Sequence, residues 1–356
     1  MPFCKSKCGY CDFYSMCAGN TVAYVQKIKQ QLEIWGGRIT RPIDTLYFGG
    51  GTPSVLGDGI ADIITAAKNN FNFCSAEITV EANPADNLED FFAAILKAGA
   101  NRLSLGVQSA VDGELEILGR RHNFLAAAKT VKAARKAGFD NISVDLMLGI
   151  PEQTEQSLSF TLDRFCELEP DHISAYMLKI EKNTPFYEKK EFLTLPDDDQ
   201  TAELYTQACT TLQSRGYAQY EISNFAKKGK YSRHNLKYWN CDEYLGLGPA
   251  AHSFIDGKRY YFSADLDAFM QNPVMIEDGN GGTAQEYAIL RLRLSDGIVF
   301  GEFEKRFGRT PSQKFIKKAQ DLAAHGFMLC DGKSVRLTQK GFLVSNTIIG
   351  GLYEDI

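Results

Sequence analysis

The sequence predicts an α/β protein, a partial parallel barrel followed by a mostly helical, winged-helix-like C-terminal domain. Short runs rich in β-branched and aromatic residues recur through the first half, each separated from the next by a stretch with helical spacing of apolar residues. That rhythm stops near Leu195, and a Gly-rich joint, DGNGGT from Asp278, precedes the last segment. Beyond the joint, one helix-patterned stretch runs into a hairpin pattern.

The strand-like runs are DTLYFGG from Asp44, EITVEANP from Glu77, RLSLGVQS from Arg102, NISVDLMLGIP from Asn141 and HISAYMLKIE from His172. TVAYVQKIKQQLEIWG before the first run, and NLEDFFAAILKAGA, NFLAAAKTVKAARKAG and QSLSFTLDRFCELE between later ones, carry apolar residues three and four apart, and most end at or near Gly. Alternation of this kind builds βα units around a parallel sheet. The acidic turn LPDDDQ marks the end of this unit, so residues 1–195 form the barrel, 196–278 an extension and 279–356 the C-terminal domain. In the last, PSQKFIKKAQDLAAHG reads as a helix and FMLCDGKSVRLTQKGFLVSN as a hairpin turning at Asp331-Gly332. Such a domain can bind DNA, but Lys314, Lys317 and Lys318 are slender support, and packing is the preferred role.

At 356 residues with 44% hydrophobic and 23% charged content, the chain can bury one large core and a smaller satellite. Its net charge of −5 argues against general nucleic-acid binding, which needs a basic surface. No apolar run approaches the roughly 18 residues of a membrane span, and no charged stretch leads into an apolar signal segment. The expected location is the cytoplasm, with peripheral membrane contact left open. Nine cysteines are present, and Cys74, Cys166, Cys209, Cys241 and Cys330 are scattered as small buried hydrophobes would be.

Cys4, Cys8 and Cys11 are different, because three thiols within eight positions form a ligand set. Zinc in a structural site takes four ligands, so Cys17 or a distant His would have to complete it. A four-iron cluster held by three thiolates leaves one iron open for another ligand. Polar residues also end the strand runs: Gly49-Gly50-Gly51-Thr52-Pro53, Glu81 and Asn83, Gln108 and Asp145. Any one of them could cap a helix or satisfy a loop, but a parallel barrel gathers such strand ends at one face.

The C-x3-C-x2-C spacing, with Tyr10 before the third Cys, resembles the radical SAM superfamily. PFCKSKCGYCDF, GGGTPS, VEANP, GVQS, LGRRH and DLMLGIP follow in the order of its HemN/HemW branch, over nearly the whole chain. The resemblance implies a (β/α)6-type partial barrel in which Cys4, Cys8 and Cys11 ligate a [4Fe-4S] cluster and S-adenosylmethionine (SAM) completes it. Gly50 and Thr52 would contact the methionyl part, Glu81, Gln108, Arg120 and Asp145 would make the other polar contacts, and Phe13 would lie beside the adenine. A guanidinium such as Arg120 suits a carboxylate through paired hydrogen bonds.

HemN enzymes resemble one another in a fourth cysteine two places after the third, where this chain has Phe13, so the closer resemblance is to the HemW haem chaperones. His234-Asn235-Leu236-Lys237-Tyr238-Trp239 matches that group's HNxxYW element, which implies haem contacts by His234, Tyr238 and Trp239. His252 and Cys241 are further candidate axial ligands. The implied partners are haem and haem-acceptor proteins. The competing expectation is an oxygen-independent coproporphyrinogen III oxidase acting on porphyrin precursors; no catalytic residue is assigned in either case. One departure stands out: relatives carry a strand of the type YIHI before PFC. Its absence predicts an unpaired sheet edge, with either a mis-set start or a poorly anchored cysteine loop.

Overall fold

The structure, a computed structural model, describes residues 1–84 and 87–356. Two short parallel strands, β1 (Phe3–Cys4) and β2 (Met16–Cys17), close the cysteine loop between them. The helix α1 (Thr21–Gly36) begins where the Asn20 side chain accepts the amide of Ala23. The predicted alternation follows: β3 (Ile43–Phe48), α2 (Gly59–Asn70), β4 (Phe73–Ala82), α3 (Glu89–Ala98), β5 (Arg102–Gln108), α4 (Asp112–Ile117), α5 (Phe124–Ala137), β6 (Ile142–Leu148), α6 (Glu155–Glu167) and β7 (His172–Met177). The strands β3 to β7 pair in parallel and in chain order.

After the short α7 (Pro185–Glu188), the stretch read as an acidic turn starts a helix instead. Asp197 accepts the amide of Gln200 and the Gln200 side chain accepts the amide of Asp197, a capping box for α8 (Asp198–Ser214). The strands β8 (Ala218–Gln219) and β9 (Asn224–Ala226) then return antiparallel, giving one curled half-barrel sheet of order β3-β4-β5-β6-β7-β9-β8. The sequence pattern does not reveal these last two strands, because each is too short to show a period.

The extension holds α9 (Arg233–Trp239), β10 (His252–Ile255), β11 (Lys258–Tyr261), α10 (Leu266–Gln271) and β12 (Ile276–Asn280), whose strands form an antiparallel meander that takes in Asp278-Gly279-Asn280 of the expected joint. The C-terminal part contains α11 (Ala284–Arg291), β13 (Ile298–Val299), α12 (Phe300–Phe307), α13 (Gln313–Ala324), β14 (Met328–Cys330), β15 (Ser334–Leu337), α14 (Gln339–Leu343) and α15 (Ser345–Leu352). The hairpin of β14 and β15 turns at Asp331 as expected, and the Asp331 carboxylate accepts the amides of Lys333 and Ser334. Lys314 and Lys318 both pair with Asp355, so two of the three lysines on α13 serve internal packing.

The register decides what the half-barrel contains. Thr45 lies beside Glu77, Thr79 beside Arg102, Glu81 beside Ser104, Ser104 beside Ser143 and Asp145 beside Ser174, so one face of the sheet is polar from strand to strand. The opposite face carries Ile78, Val80, Leu103, Leu105, Val144 and Leu146, which join the helices in one apolar core.

Among the described residues β3 has no neighbour on its outer side, which is the open edge the sequence predicts. The cysteine loop is nevertheless tied down. The Met1 amino group donates to the Gly49 carbonyl at 2.7 Å, the Gly51 amide to Met1 at 2.6 Å and the Thr52 amide to Phe3 at 2.7 Å. Phe3 is 1% exposed and meets the Tyr24 ring edge to face at 5.2 Å. Further along the loop, the Gly9 amide donates to Leu118 and the Phe186 amide to Gly9. Truncating Phe3→Ala is expected to lower stability by about 3–5 kcal/mol, the usual cost of emptying a buried aromatic site. Urea unfolding checks this, and a loss below about 1 kcal/mol would show that the loop does not depend on that anchor.

Candidate functional site

The cysteine loop lies against the mouth of the half-barrel. The Cys4 thiol is 3.4 Å from the Thr52 hydroxyl, and the Arg120 guanidinium is 3.4 Å from the Cys8 thiol. Burial raises the pKa of the Cys11 thiol, and the neighbouring Cys8 and Cys4 add to this while the Phe13 amide opposes it. Among the described residues no three His, Cys, Asp or Glu side chains are gathered closely enough to hold a single metal ion. Three thiols on one loop are a donor set that suits an iron–sulfur cluster.

Arg120 also donates to the Gly106 carbonyl at 2.5 Å. A side chain at Gly106 would come within 3.1 Å of Arg120 and of Gln108, so glycine is what lets the guanidinium cross the strand. Gln108 ends β5 at φ +73, after a register shift that begins at Leu105. Left-handed backbone at a residue other than glycine is strained and gathers at functional sites. Its Oε1 is buried without a partner, as is Nε of Arg120. A buried acceptor and a buried donor left unmatched at a strand end provide for a ligand that carries both.

Glu81 and Asp145 face the same lumen. The Tyr47 hydroxyl donates to Glu81 at 2.5 Å. Enclosure by protein pushes the Glu81 carboxyl up to about 7, the Tyr47 bond opposes the rise and nearby Asp145 adds to it. Asp145 rises to about 6 for the same reason, moderated by Ser174, Arg102, Arg120 and Ser104. Cys4, Cys8, Thr52, Glu81, Gln108, Arg120 and Asp145 are thereby brought to one mouth. Gly50, at φ +104, is pressed by Met1, whose carbonyl would lie 2.9 Å from an added Cβ. Phe13 is 61% exposed.

A cleft of about 1340 Å³ runs along the open edge of β3 and is lined by Phe13, Trp35, His234, Tyr238, Cys241 and His252 among others, but not by Trp239. His234 is held on both nitrogens: Nδ1 is 2.9 Å from the Thr45 hydroxyl and Nε2 is 2.9 Å from the Tyr238 hydroxyl. Its ring stacks on Tyr47 at 4.9 Å and 17°. Burial drops its pKa to about 4, with Lys237 acting in the same direction, so the imidazole is neutral at pH 7. The Glu77 carboxylate accepts the amides of Arg233 and His234, satisfying the first turn of α9 from inside the sheet. His252 is exposed and stacks on Tyr261, and Cys241 is buried with its thiol pKa pushed up by burial.

The motif reading missed Thr45, Tyr47, Glu77, Arg102 and Ser174. The signal that could have found them is period-two polarity within the strand runs, as in R-L-S-L-G and S-V-D-L-M, where every second residue is polar although the strand is central.

The radical SAM superfamily matches residues 1–165 and the HemN C-terminal domain matches residues 283–344. The heme chaperone HemW of Bacillus subtilis is 33% identical over 373 aligned residues, covering 100% of this chain and 98% of that one. This chain belongs to the HemW family. The HemW of Lactococcus lactis is 30% identical over 100% of this chain and 97% of its own length. The mitochondrial radical S-adenosyl methionine domain-containing protein 1 of Mus musculus is 31% identical over 98% and 85% of the two chains. Coproporphyrinogen III oxidase HemN from Escherichia coli shares the fold, with a TM-score of 0.84 and 22% identity over 100% of this chain and 89% of that one. Membership of the radical SAM superfamily implies SAM and a [4Fe-4S] cluster, and the unmatched polar atoms beside the cysteine loop fit them.

Glu81 holds its proton more tightly folded than unfolded. Folding therefore takes up a proton between pH of about 4.5 and 7, and the ligand-free protein loses stability as pH rises through that window. His234, held neutral, acts in the opposite sense between about pH 4 and 6.5, so a difference measurement is needed. The Tm of Glu81→Gln relative to the unaltered protein is expected to rise steadily from pH 5 to about 7.5. A constant difference would show that Glu81 does not titrate there.

Proposed function

We propose that this protein is a haem chaperone, in which a SAM-bound [4Fe-4S] cluster at the barrel mouth supports or regulates the passing of haem to acceptor proteins. The observation that carries the reading is a neutral imidazole, His234, stacked on the tyrosine that bonds Glu81, in a chain alignable end to end with heme chaperones. Cys4, Cys8 and Cys11 would hold three irons, and the fourth would take SAM. When bound and reduced, the cluster supplies single electrons to the sulfonium cofactor.

The side chains of this chain divide the rest of the work. The Arg120 guanidinium suits the cofactor carboxylate, and the free acceptor of Gln108 suits its ammonium. Glu81 and Asp145 accept from hydroxyl or ammonium groups, and a cation beside them favours their ionised forms. Thr52 stays beside Cys4, Gly50 leaves room for close approach, and Phe13 offers an exposed ring for the adenine. His234 can offer nitrogen to haem iron only by giving up its bond to Thr45 or to Tyr238, so Tyr238 would act as a latch on the ligand. Trp239, expected from the motif to wall the haem, lies outside the cleft, whereas His252 and Cys241 line the same cleft as His234. Residues 1–195 would carry the cluster and SAM, 196–278 the haem contacts, and 279–356 a packing domain. No helix is long and apolar enough to cross a membrane among the described residues, and the proposed setting is the cytoplasm, with membrane contact at most peripheral.

Anaerobically reconstituted protein titrated with haem is expected to bind it tightly, and His234→Ala to weaken binding at least about tenfold, or 1.4 kcal/mol. No tight binding would end the chaperone reading, and unchanged binding in the variant would move the ligand to His252 or Cys241. The same sample supplied with coproporphyrinogen III, SAM and reductant is expected to give no decarboxylated product; product formed in step with SAM cleavage would replace the chaperone with an oxidase. Iron content is expected to collapse in Cys8→Ala, and stoichiometric zinc without iron would favour a structural metal site.

A further inference from the structure

We propose that Tyr47 is a positioning residue that couples occupancy of the SAM pocket to the order of α9 and its His234. The inference rests on the reading of Glu81 as a SAM contact. Tyr47 makes two unlike contacts: its hydroxyl donates to Glu81 at 2.5 Å, and its ring face lies on the His234 imidazole at 4.9 Å. Thr45, two places earlier on β3 and on the same face, holds Nδ1 of the same imidazole. Glu77, four places before Glu81 and on the same face of β4, holds the first two amides of α9. The helix is therefore seated on adjacent positions of β3 and β4, the two strands that also carry the link to Glu81.

A hydrogen bond from a phenol to a carboxylate is strong only while the carboxylate is ionised. A ligand bearing ammonium and sulfonium charge beside Glu81 favours that form, and the carboxylate's remaining lone pairs accept from Tyr47 and from the ligand together. The hydroxyl then fixes the ring, and the fixed ring holds the imidazole. Coupling of this kind is reciprocal, so a ligand that draws His234 off Tyr47 weakens SAM binding by the same factor.

Hydrogen exchange of peptides covering residues 233–239, in anaerobically reconstituted protein with and without SAM, reads the coupling without haem or turnover. SAM is expected to slow exchange there at least about threefold in the unaltered protein. In Tyr47→Phe the ring stack remains, so exchange without SAM is expected to stay unchanged and the response to SAM to disappear, while equilibrium dialysis still shows SAM bound. Thr45→Val, which cuts the other tether and leaves the Glu81 bond intact, is expected to exchange faster throughout and to keep its SAM response. Equal slowing in Tyr47→Phe, or loss of the response in Thr45→Val as well, overturns the proposal. Unaltered protein that binds SAM with no change in α9 overturns the coupling alone, and protein that binds no SAM overturns both the coupling and the reading of the pocket.

Discussion

The polar face inside the curled sheet is the constraint on which the rest of this structure depends. Glu77, Thr79 and Arg102 are almost fully buried there, with Glu81 and Asp145 alongside. Charges withdrawn from water cost several kcal/mol each unless partners are supplied. The fold supplies them from distant parts of the chain. Glu77 is met by amides more than 150 residues later, Asp145 by Ser104 and Ser174, and Glu81 by Tyr47. Satisfying the lumen thus fixes where the extension sits.

The same economy explains the mouth of the barrel. Hydrogen bonds that join Met1 to the Gly49 carbonyl and the Gly51 amide, and Phe3 to the Thr52 amide, place the cysteine loop against strand ends that carry unmatched polar atoms. Gln108 and Arg120 beside the thiols carry unmatched buried atoms, as do Thr79, Arg102 and Asn224 on the polar face of the sheet.

Fold and function separate in this family. The chain shares its architecture with an oxidase at a TM-score of 0.84 and its sequence with proteins named as chaperones. A scaffold that positions a cofactor does not specify what the cofactor does. The proposed distinction rests on local features: Phe13 after the cysteine triad, and an imidazole held neutral and hydrogen-bonded to Tyr238.

The sequence by itself determined the five parallel strands, the helices α1, α3, α5 and α6, the C-terminal hairpin and the cysteine loop, because each rests on spacing within a few residues. The polar strand ends Glu81 and Gln108 were legible for the same reason, while Asp145 sits in the middle of β6. Only the tertiary structure decided that α8 begins where a turn was expected, and that β8 and β9 extend the sheet. It alone showed that His234 is saturated by Thr45 and Tyr238, and that Tyr47 bridges it to Glu81. Those contacts join residues 34 to 189 positions apart, apart from the pair within α9. Register between strands and the docking of a helix set them, and neither leaves a periodic trace in a single chain.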